Sequence, residues 1–264
     1  MYYDYHIHSK FSPDGKNSME EMILRSIDLG LKEICFTDHV DYDIELIDYF
    51  IVDYDKYFES LNYYTEKYKN KISIKKGIEF GLQRQLCDKC KKDVEKYDFD
   101  FVICSQHAID KIDLYFKDFF EDKDPHTAYK IYYEEYLNII KNYKDYNILG
   151  HLDLVKRYSP YDEILDDDDF TDILAEILKQ VISDGKGIEV NTSCFKYNLP
   201  DLTPSRKIIK LYKDLGGEII TTGSDAHHTS FLACNFDKVY DFLKDVGFKY
   251  VCSFDNMEPN FHKI

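Results

Sequence analysis

Short apolar runs alternate with longer amphipathic segments along this chain of 264 residues. The runs have the length of buried strands, and the segments between them have helical periodicity. The strand candidates are residues 2–6, 33–37, 72–79, 101–105, 147–150, 187–191 and 218–222, with a possible eighth at residues 250–253. Strand and helix patterns that alternate in this way are typical of parallel βα units.

Two of the helical segments carry recognisable ends. In residues 17–33, Ser18 is a candidate N-cap and Glu21 completes a capping box. One face of that helix has a spacing of three to four residues and comprises Met19, Met22, Ile23, Ser26, Ile27 and Gly30. In residues 204–218, Pro204 lies near the helix start, and Gly216 and Gly217 follow its end.

The length of the chain favours one closed or nearly closed barrel over an open sheet. An α/β barrel uses about 250 residues, and neither an internal repeat nor a Pro/Gly/Ser linker divides this chain. We therefore predict an α/β fold, a distorted (β/α)7 TIM-like barrel, as a single domain over residues 1–264. An acidic run at residues 165–169 is interpreted as a solvated loop that leads into a helix.

Composition restricts the partners and the compartment. With 34 basic and 50 acidic residues the formal net charge is −16, which disfavours nucleic acids and anionic membranes as partners. The sequence contains neither a secretory signal pattern nor an apolar stretch long enough to cross a membrane. Seven scattered cysteines fit free thiols in a reducing cytoplasm. Cys87 and Cys90 form a lone C-x-x-C, which we interpret as an ordinary pair on a helix surface.

Ionisable side chains follow nearly every strand candidate. Six of the seven main runs end in His, Asp or Glu, and the sixth strand gives Asn191 instead. In chain order these residues are His6, His8 and Asp14, then Asp38 and His39, Glu79, His107, His151 and Asp153, and finally Asp225, His227 and His228. The carboxyl ends of barrel strands form one face, where residues from several strands converge.

The histidines are concentrated at these strand ends. Seven of the nine lie there, and only His126 and His262 do not. Any one of them could be an ordinary core or surface histidine, and His6 and His8 alone could be a surface pair. Together they would crowd buried polar nitrogens into one cavity, which is costly unless something binds them. Divalent metal ions bind neutral imidazole nitrogen and carboxylate oxygen, so the pattern predicts a metal site.

The ordered motifs resemble those of the polymerase-and-histidinol-phosphatase (PHP) family, and within it the stand-alone histidinol-phosphate phosphatases. The motifs are D-x-H-x-H-x5-D from Asp4, then T-D-H, G-x-E, Q-H, G-H-x-D, N-T-S and S-D-A-H, which ends at His227. Each motif alone is weak, but seven in the same order are specific. The resemblance implies a distorted (β/α)7 barrel that holds three divalent ions, with zinc, manganese or iron as candidates.

The resemblance also implies which residues bind each ion. One ion would be bound by His6, His8, Glu79 and Asp225. A second would share Glu79, whose two oxygens can bridge two cations, and add His107 and His151. The third would be bound by Asp14, His39 and His227. Three carboxylates against three divalent ions leave a positive site, which suits a phosphate monoester dianion.

The implied reaction is hydrolysis of L-histidinol phosphate to L-histidinol and phosphate, a step of histidine biosynthesis, by attack of a metal-bridging hydroxide. Arg157 and Lys196 are the basic candidates for the phosphate oxygens, and a surface salt bridge is the alternative for Arg157. The family pattern has Gly and Arg where this chain has Cys194 and Lys196, and lysine lacks the bidentate fork of arginine.

Two further acidic side chains receive supporting roles, and one histidine receives none. Asp153 is expected either to protonate the leaving alkoxide or to orient His151, and the second role is preferred. Asp38 is expected to orient a ligand in a similar way. His228 is not expected to be a ligand.

Two alternatives to this function remain open in the sequence. A relative of these enzymes could act on a nucleotide, on phosphotyrosine or on another phosphoester. A barrel of this kind could also serve as a non-catalytic module, although all nine ligand positions are filled here.

Overall fold

The computed structural model describes residues 2–45, 50–162 and 164–264. Its strands, in chain order, are β1 (Tyr3–Ile7), β2 (Glu33–Phe36), β3 (His39–Val40), β4 (Ser73–Gly81), β5 (Phe101–Ser105), β6 (Ala108–Ile109), β7 (Ile112–Asp113), β8 (Ile148–Leu149), β9 (Gly187–Asn191), β10 (Ile220–Gly223), β11 (Tyr250–Asp255) and β12 (Glu258–Lys263). The helices are α1 (Met19–Asp28), α2 (Tyr54–Tyr68), α3 (Cys87–Lys96), α4 (Pro125–Asn142), α5 (Val155–Tyr158), α6 (Thr171–Ser183), α7 (Cys194–Tyr197), α8 (Arg206–Asp214) and α9 (Phe236–Val246). Short 3₁₀ turns span Arg84–Leu86, Leu114–Phe116, Asp118–Phe120, Asp167–Phe170 and Thr229–Phe231.

Seven parallel strands form the wall of a nearly closed barrel. They pair in the order β1, β2, β4, β5, β8, β9 and β10, and β3 extends the wall by pairing with β4. Strand β1 meets the end of β10 through a parallel bridge between Ile7 and Ala226. The Asp225 amide donates to the His6 carbonyl at 2.8 Å, and the His8 amide donates to the Ala226 carbonyl at 3.1 Å. The prediction of a (β/α)7 barrel is confirmed.

The predicted helix signals act as expected. Ser18 and Glu21 form a reciprocal capping box at the start of α1. Helix α8 begins at Arg206 with Ser205 as its N-cap, so Pro204 lies just before the cap. The acidic run forms the Asp167–Phe170 turn that leads into α6, as expected, but Asp167 is buried and its carboxylate lies 2.5 Å from Lys156 Nζ.

The late strand candidate belongs to a different sheet. Strand β11 pairs antiparallel with β12 in a two-stranded hairpin, so it is not an eighth strand of the barrel. Two barrel strands also differ in length from the prediction, since β4 continues to Gly81 and β8 contains only Ile148 and Leu149. Of residues 250–253, Cys252 packs against the barrel end, Val251 joins the large outer cluster, and Tyr250 is exposed.

Alternation along each strand separates an outer core from the barrel interior. On β5, Val102 and Cys104 belong to the large cluster that packs against the helices, whereas Phe101 and Ile103 face inward. On β4, Ile78 and Phe80 pack outward, and this directs Glu79 between them into the interior. A buried carboxylate is thus placed inside the barrel by the same periodicity that builds the core.

The C-terminal hairpin closes the amino end of the barrel. Cys252 and Phe254 from β11 join a buried cluster with inward-facing residues of the barrel, namely Tyr5, Cys35, Phe101, Ile103 and Ile148. The Tyr5 hydroxyl accepts a hydrogen bond from the Phe254 amide at 2.9 Å and donates one to the Phe254 carbonyl at 3.2 Å. With this end filled, the opposite end holds the polar residues.

Phe254→Ala is expected to lower the free energy of unfolding by about 3–5 kcal/mol, because it leaves a cavity in this cluster. Phe254 is 2% exposed, and its ring centroid lies 5.0 Å from that of Phe101. Phe261→Ala on the paired strand is the control, with a loss of about 0.5 kcal/mol or less, since Phe261 is 47% exposed. Urea denaturation of both variants checks this. Equal losses would show that the hairpin does not plug the barrel.

The cysteines are free, and the C-x-x-C pair is only partly at the surface. All seven thiols are unpaired. Cys90 is fully buried against the core, while Cys87 is half-buried, which corrects the prediction that both lie on a helix surface. Within the described residues, no helix is both long and apolar enough to cross a membrane.

Candidate metal centre and active site

The polar strand-end residues converge in one cavity at the carboxyl end of the barrel. The cavity has a volume of 330 Å³, and its lining includes Asp14, His39, His107, His151, Arg157, Asp225 and His227. His6 and His8, from the end of β1, are fully buried beneath it, together with Glu79 from β4. The nine predicted ligands, which come from six separate segments, therefore meet in space.

Glu79 lies at the centre of the cluster and uses both carboxylate oxygens. Its Oε1 lies 2.9 Å from His151 Nε2 and 3.3 Å from His107 Nε2. Its Oε2 lies 3.1 Å from His39 Nδ1, 3.2 Å from His6 Nε2 and 3.5 Å from His8 Nε2. One carboxylate thus contacts five imidazoles, two of them through Oε1 and the other three through Oε2.

Two aspartates complete the cluster. Asp225 Oδ1 lies 3.5 Å from His8 Nε2 and 3.9 Å from His6 Nε2. Asp14, on the loop after β1, places Oδ2 at 2.9 Å from His227 Nε2 and at 4.0 Å from His39 Nε2. Asp225 Oδ1 also lies 3.5 Å from His227 Nδ1, and the rings of His8 and His227 stack with centroids 4.0 Å apart.

Four sets of these side chains have donor atoms close enough to share an ion. The donor atoms of each set lie within 4.8 Å of one another. The sets are His6, His8 and Glu79; His6, His151 and Asp225; His39, Glu79 and His107; and His8, His39 and His227.

Many of the buried donor atoms make no hydrogen bond of good geometry, although several lie close to one another. They are His6 Nε2, His8 Nε2, Asp14 Oδ1, His39 Nδ1, Glu79 Oε2, His151 Nδ1 and His227 Nε2. Buried polar atoms without partners are costly, and native proteins seldom leave several together. All seven belong to predicted ligands, so this donor set fits divalent metal ions.

Charges within the cluster set which groups carry protons. Burial would raise the pKa of Glu79, but the positive charges of His6, His107 and His39 hold it well below the usual value. Burial lowers the pKa of His8 well below the usual value, and the neighbouring His227 and His39 act in the same direction. The centre therefore contains an ionised carboxylate beside a neutral imidazole, which are the forms that bind metals.

Other histidines gain affinity for a proton. Burial opposes the charged form of His39, but Glu79 raises the pKa of His39 to about 9. The pKa of His107 is also raised against burial, by Asp41 and Glu79. A divalent ion that binds here would displace these protons, because the ligating nitrogen must be free.

Two buried acids that the sequence analysis missed orient the histidines. Glu189 Oε1 lies 2.7 Å from His6 Nδ1, and Glu189 Oε2 accepts from the His151 amide at 3.0 Å. Asp41 Oδ1 lies 2.8 Å from His107 Nδ1. Each fixes the ring nitrogen that faces away from Glu79, as carboxylates do beside metal-binding histidines.

The space for these acids is provided by glycines. A Cβ atom at Gly81 would lie 1.7 Å from Asp41 Oδ1, and one at Gly223 would lie 2.0 Å from Glu189 Oε1. The alternation of β9 was a signal that could have revealed Glu189, because it shares a strand face with Asn191 two residues later. No comparable signal marks Asp41.

Asp38 supports the cluster through a loop. Its carboxylate accepts from the Ser9 amide at 2.7 Å and from the Ser12 hydroxyl at 2.7 Å. The Ser12 hydroxyl oxygen lies 3.3 Å from His8 Nδ1 and accepts from the His39 amide at 3.0 Å. Asp38 thus holds the loop that positions two histidines, in agreement with an orienting role.

The structure brings Arg157 to the cluster but not Lys196. Arg157 Nη2 lies 3.2 Å from Asp225 Oδ2 and donates to the Ser193 hydroxyl. The guanidinium carbon lies 4.5 Å from the Tyr197 ring centroid. Lys196 is half-buried, its ammonium lies 4.7 Å from the Tyr197 ring centroid, and it does not line the cavity.

Asp153 makes other contacts than those expected of a residue that orients His151. Its Oδ2 accepts from the Ser205 amide at 3.0 Å and lies 2.9 Å from Lys156 Nζ. Among the described residues it makes no hydrogen bond with His151, and it lines a different cavity. His151 is held by Glu189 instead. His228 is exposed and interacts with Ser230, as expected for a residue outside the site.

Comparison with known proteins shows similarity over nearly the whole chain. A family model described as the PHP domain matches residues 4–193. A histidinol-phosphatase of Lactococcus lactis subsp. lactis is 34% identical over 262 residues, which cover 98% of this chain and 97% of that protein. A probable histidinol-phosphatase of Clostridium acetobutylicum is 30% identical over 257 residues, which cover 95% of this chain and 96% of that protein.

A solved structure shares the fold. It is the crystal structure of histidinol phosphate phosphatase from Lactococcus lactis subsp. lactis in complex with zinc, L-histidinol and phosphate. It superimposes with a TM-score of 0.90 at 32% identity and covers 98% of each chain. The matched domain, the near-full-length relatives and the shared barrel agree, and this chain belongs to the PHP family.

Proposed function

We propose that this chain is a metal-dependent phosphatase that hydrolyses L-histidinol phosphate to L-histidinol and phosphate in histidine biosynthesis. The observation that carries the proposal is the set of buried, unpartnered nitrogen and oxygen atoms around Glu79. Relatives that span the same length are named histidinol-phosphatases, and a structure of similar fold contains zinc, L-histidinol and phosphate. The small-molecule substrate fits a cavity of 330 Å³.

Three divalent ions are proposed to occupy the cluster. His6, His8, Glu79 and Asp225 would bind the first, Glu79, His107 and His151 the second, and Asp14, His39 and His227 the third. Support comes from the compact sets described above, one of which, His6, His8 and Glu79, lies wholly within the first assignment. Zinc, manganese and iron all suit mixed nitrogen and oxygen ligands, and the related crystal structure favours zinc.

When bound, such ions supply positive charge for the phosphate oxygens and make water more acidic. Arg157 would bind a phosphate oxygen through its guanidinium, which Asp225 and Ser193 already hold at the edge of the cavity. Glu79 stays ionised and holds the surrounding imidazoles in place. Glu189 and Asp41 keep the rings of His6 and His107 in their orientation.

Asp153 is proposed as a positioning residue. Its carboxylate holds Lys156, which also binds Asp167, and this network fixes helix α5 from which Arg157 projects. Burial raises the pKa of Asp153 in spite of Lys156, but its carboxylate lines a different cavity from the cluster, which argues against proton transfer to a leaving group there. Lys196, whose ammonium lies over the Tyr197 ring, contributes long-range positive charge only.

Phosphate release from L-histidinol phosphate tests the function. Protein loaded with zinc or manganese is expected to turn over this ester faster than nucleotides or phosphotyrosine. Treatment with a chelator is expected to abolish the activity, and the divalent ion is expected to restore it. Failure to hydrolyse L-histidinol phosphate, with good turnover of another ester in the panel, would refute the substrate assignment.

We also propose that residues 1–264 form one domain in a reducing compartment such as the cytoplasm. The hairpin at the end of the chain packs on Tyr5 near its beginning, which supports one folding unit. Seven free cysteines support a reducing environment. The net charge of −16 argues against nucleic acid as a partner.

A further inference from the structure

The lining of the cavity divides into two chemically different parts. One part consists of the proposed ligands and Arg157, which suit a phosphate group. The other part is aromatic and includes Tyr115, Phe116, Tyr158 and Tyr197. A cavity that needed only to bind phosphate would not require this second part.

The aromatic side chains are unusually exposed for their size. Tyr115 is 64% exposed, Phe116 43% and Tyr197 41%. Large apolar side chains that gather around a cavity and remain in contact with water indicate a binding surface. Tyr197 and Tyr158 lie beside Arg157, whose guanidinium carbon is 4.5 Å from the first ring centroid and 6.0 Å from the second, and Tyr115 lies against Tyr158.

Asp113 lines the same aromatic part and has spare hydrogen-bonding capacity. It ends the small hairpin of β6 and β7, which directly follows His107, and the Leu114 amide donates to the His107 carbonyl at 3.0 Å. One of its oxygens accepts from the Tyr115 amide at 2.8 Å. Across residues 2–45, 50–162 and 164–264, no Lys, Arg or His nitrogen lies within 4.0 Å of its carboxylate.

The other carboxylates of the lining are already engaged. Asp14 and Asp225 contact histidines of the cluster, and Asp41 contacts His107. Asp113 is therefore the acid of the described lining that is free to meet a ligand. An unpaired carboxylate beside aromatic rings suits a ligand that carries both a planar group and a positive charge. Aromatic rings stack on the faces of the planar group and attract cations, and the carboxylate pairs with the charge.

We propose that Asp113 and the aromatic side chains of Tyr115, Phe116, Tyr158 and Tyr197 form a specificity subsite for a cationic, ring-bearing leaving group. Asp113 binds the positive charge, and the aromatic side chains pack against the ring. This inference rests on the proposed function and names the residues that would select an amino alcohol with a heterocycle. Both the ammonium and a protonated imidazole of such a substrate have the required charge.

Asp113→Asn tests the subsite, because the amide oxygen can still accept from the Tyr115 amide while the charge is removed. For L-histidinol phosphate we expect KM to rise about 10- to 100-fold with kcat within about threefold, as for loss of a hydrogen bond to a charged group. For the neutral ester 3-phenylpropyl phosphate, kcat/KM is expected to change less than about twofold. The inhibition constant of L-histidinol as a competitive inhibitor should rise by the same factor as KM, whereas that of inorganic phosphate should stay unchanged.

Asp118→Asn is the matched control, since Asp118 is exposed, lies outside the lining and loses the same charge. It is expected to leave all these values unchanged. Two further esters locate the cation. If Asp113→Asn raises KM for L-phenylalaninol phosphate, the subsite is supported with the ammonium at Asp113. If it raises KM for 3-(imidazol-4-yl)propyl phosphate, the subsite is supported with the imidazole ring at Asp113.

The results that overturn the inference differ from those that overturn the function. If wild-type protein hydrolyses L-histidinol phosphate and Asp113→Asn leaves its KM unchanged, the subsite is wrong and the function stands. An equal loss of kcat/KM for the neutral ester in Asp113→Asn would also exclude a charge-selective role. If the wild type hydrolyses only the neutral ester, both proposals fail.

Discussion

Glu79→Gln is expected to lower kcat/KM for L-histidinol phosphate on the order of a thousandfold and to release bound metal. Changes to residues that merely orient metal ligands cost 10- to 100-fold, and this carboxylate is proposed to be a shared ligand. It contacts five imidazoles through two oxygens, which no other described carboxylate of the cluster does. The amide would replace one oxygen by a donor and remove the charge that the ions need.

The measurement combines steady-state kinetics with elemental analysis after dialysis. Glu135→Gln is the control, because Glu135 is also buried but pairs with Arg84 on the outside of the barrel. It should retain wild-type metal content and activity within about twofold, as expected for a change far from the site. Wild-type turnover by Glu79→Gln with a full complement of metal would disprove the assignment of Glu79 as a shared ligand.

The convergence of the candidate ligands was predictable from the sequence because strand ends converge in any barrel. Once the periodicity of the strands is recognised, His6, Glu79, His107 and Asp225 have to meet at the same end, whatever the loops between them do. The direction of Glu79 is also readable, since Ile78 and Phe80 on either side are apolar and pack against the helices. Local pattern is sufficient for these residues.

The acids that orient the histidines depend on contacts between distant segments. Asp41 and His107 are 66 residues apart, and Glu189 and His6 are 183 residues apart. Neither acid belongs to a motif of several ligands, so each looks like an ordinary acid in the sequence. Asp153 shows the converse, because its place in G-H-x-D suggested a partner for His151, whereas Lys156 one turn later binds it.

The C-terminal hairpin was the element that local pattern described least well. Strand β12 is largely exposed and contains Pro259, so its sequence does not read as a strand. Its partner β11 reads as a buried strand because Cys252 and Phe254 face the barrel interior. Strand β11 is buried because it packs against the end of the barrel, and not because it is a strand of the barrel wall. The spacing of apolar residues is the same in both cases, so the sequence does not distinguish them.

Arg157→Met is expected to lower kcat/KM by about 10²- to 10³-fold while metal content stays near that of the wild type, as for loss of a preorganised group that stabilises developing charge. The guanidinium is held between Asp225, Ser193 and the Tyr197 ring, and its side chain is 7% exposed. Burial opposes its charge, but Asp225 raises the pKa of Arg157, so the positive charge is maintained. Arg157→Lys should recover part of the loss, because lysine keeps the charge without the fork.

Lys196→Met is the matched comparison, because it removes the other cation that the sequence analysis assigned to the phosphate. Lys196 lies against the rings of Tyr197 and Phe231 and does not line the cavity. We expect kcat/KM to change by less than about threefold, since a partly exposed charge at a distance is screened. The ratio of the two effects decides the assignment. Equal losses in the two variants would mean that both cations contact the phosphate, and a larger loss for Lys196→Met would transfer the role from Arg157 to the lysine.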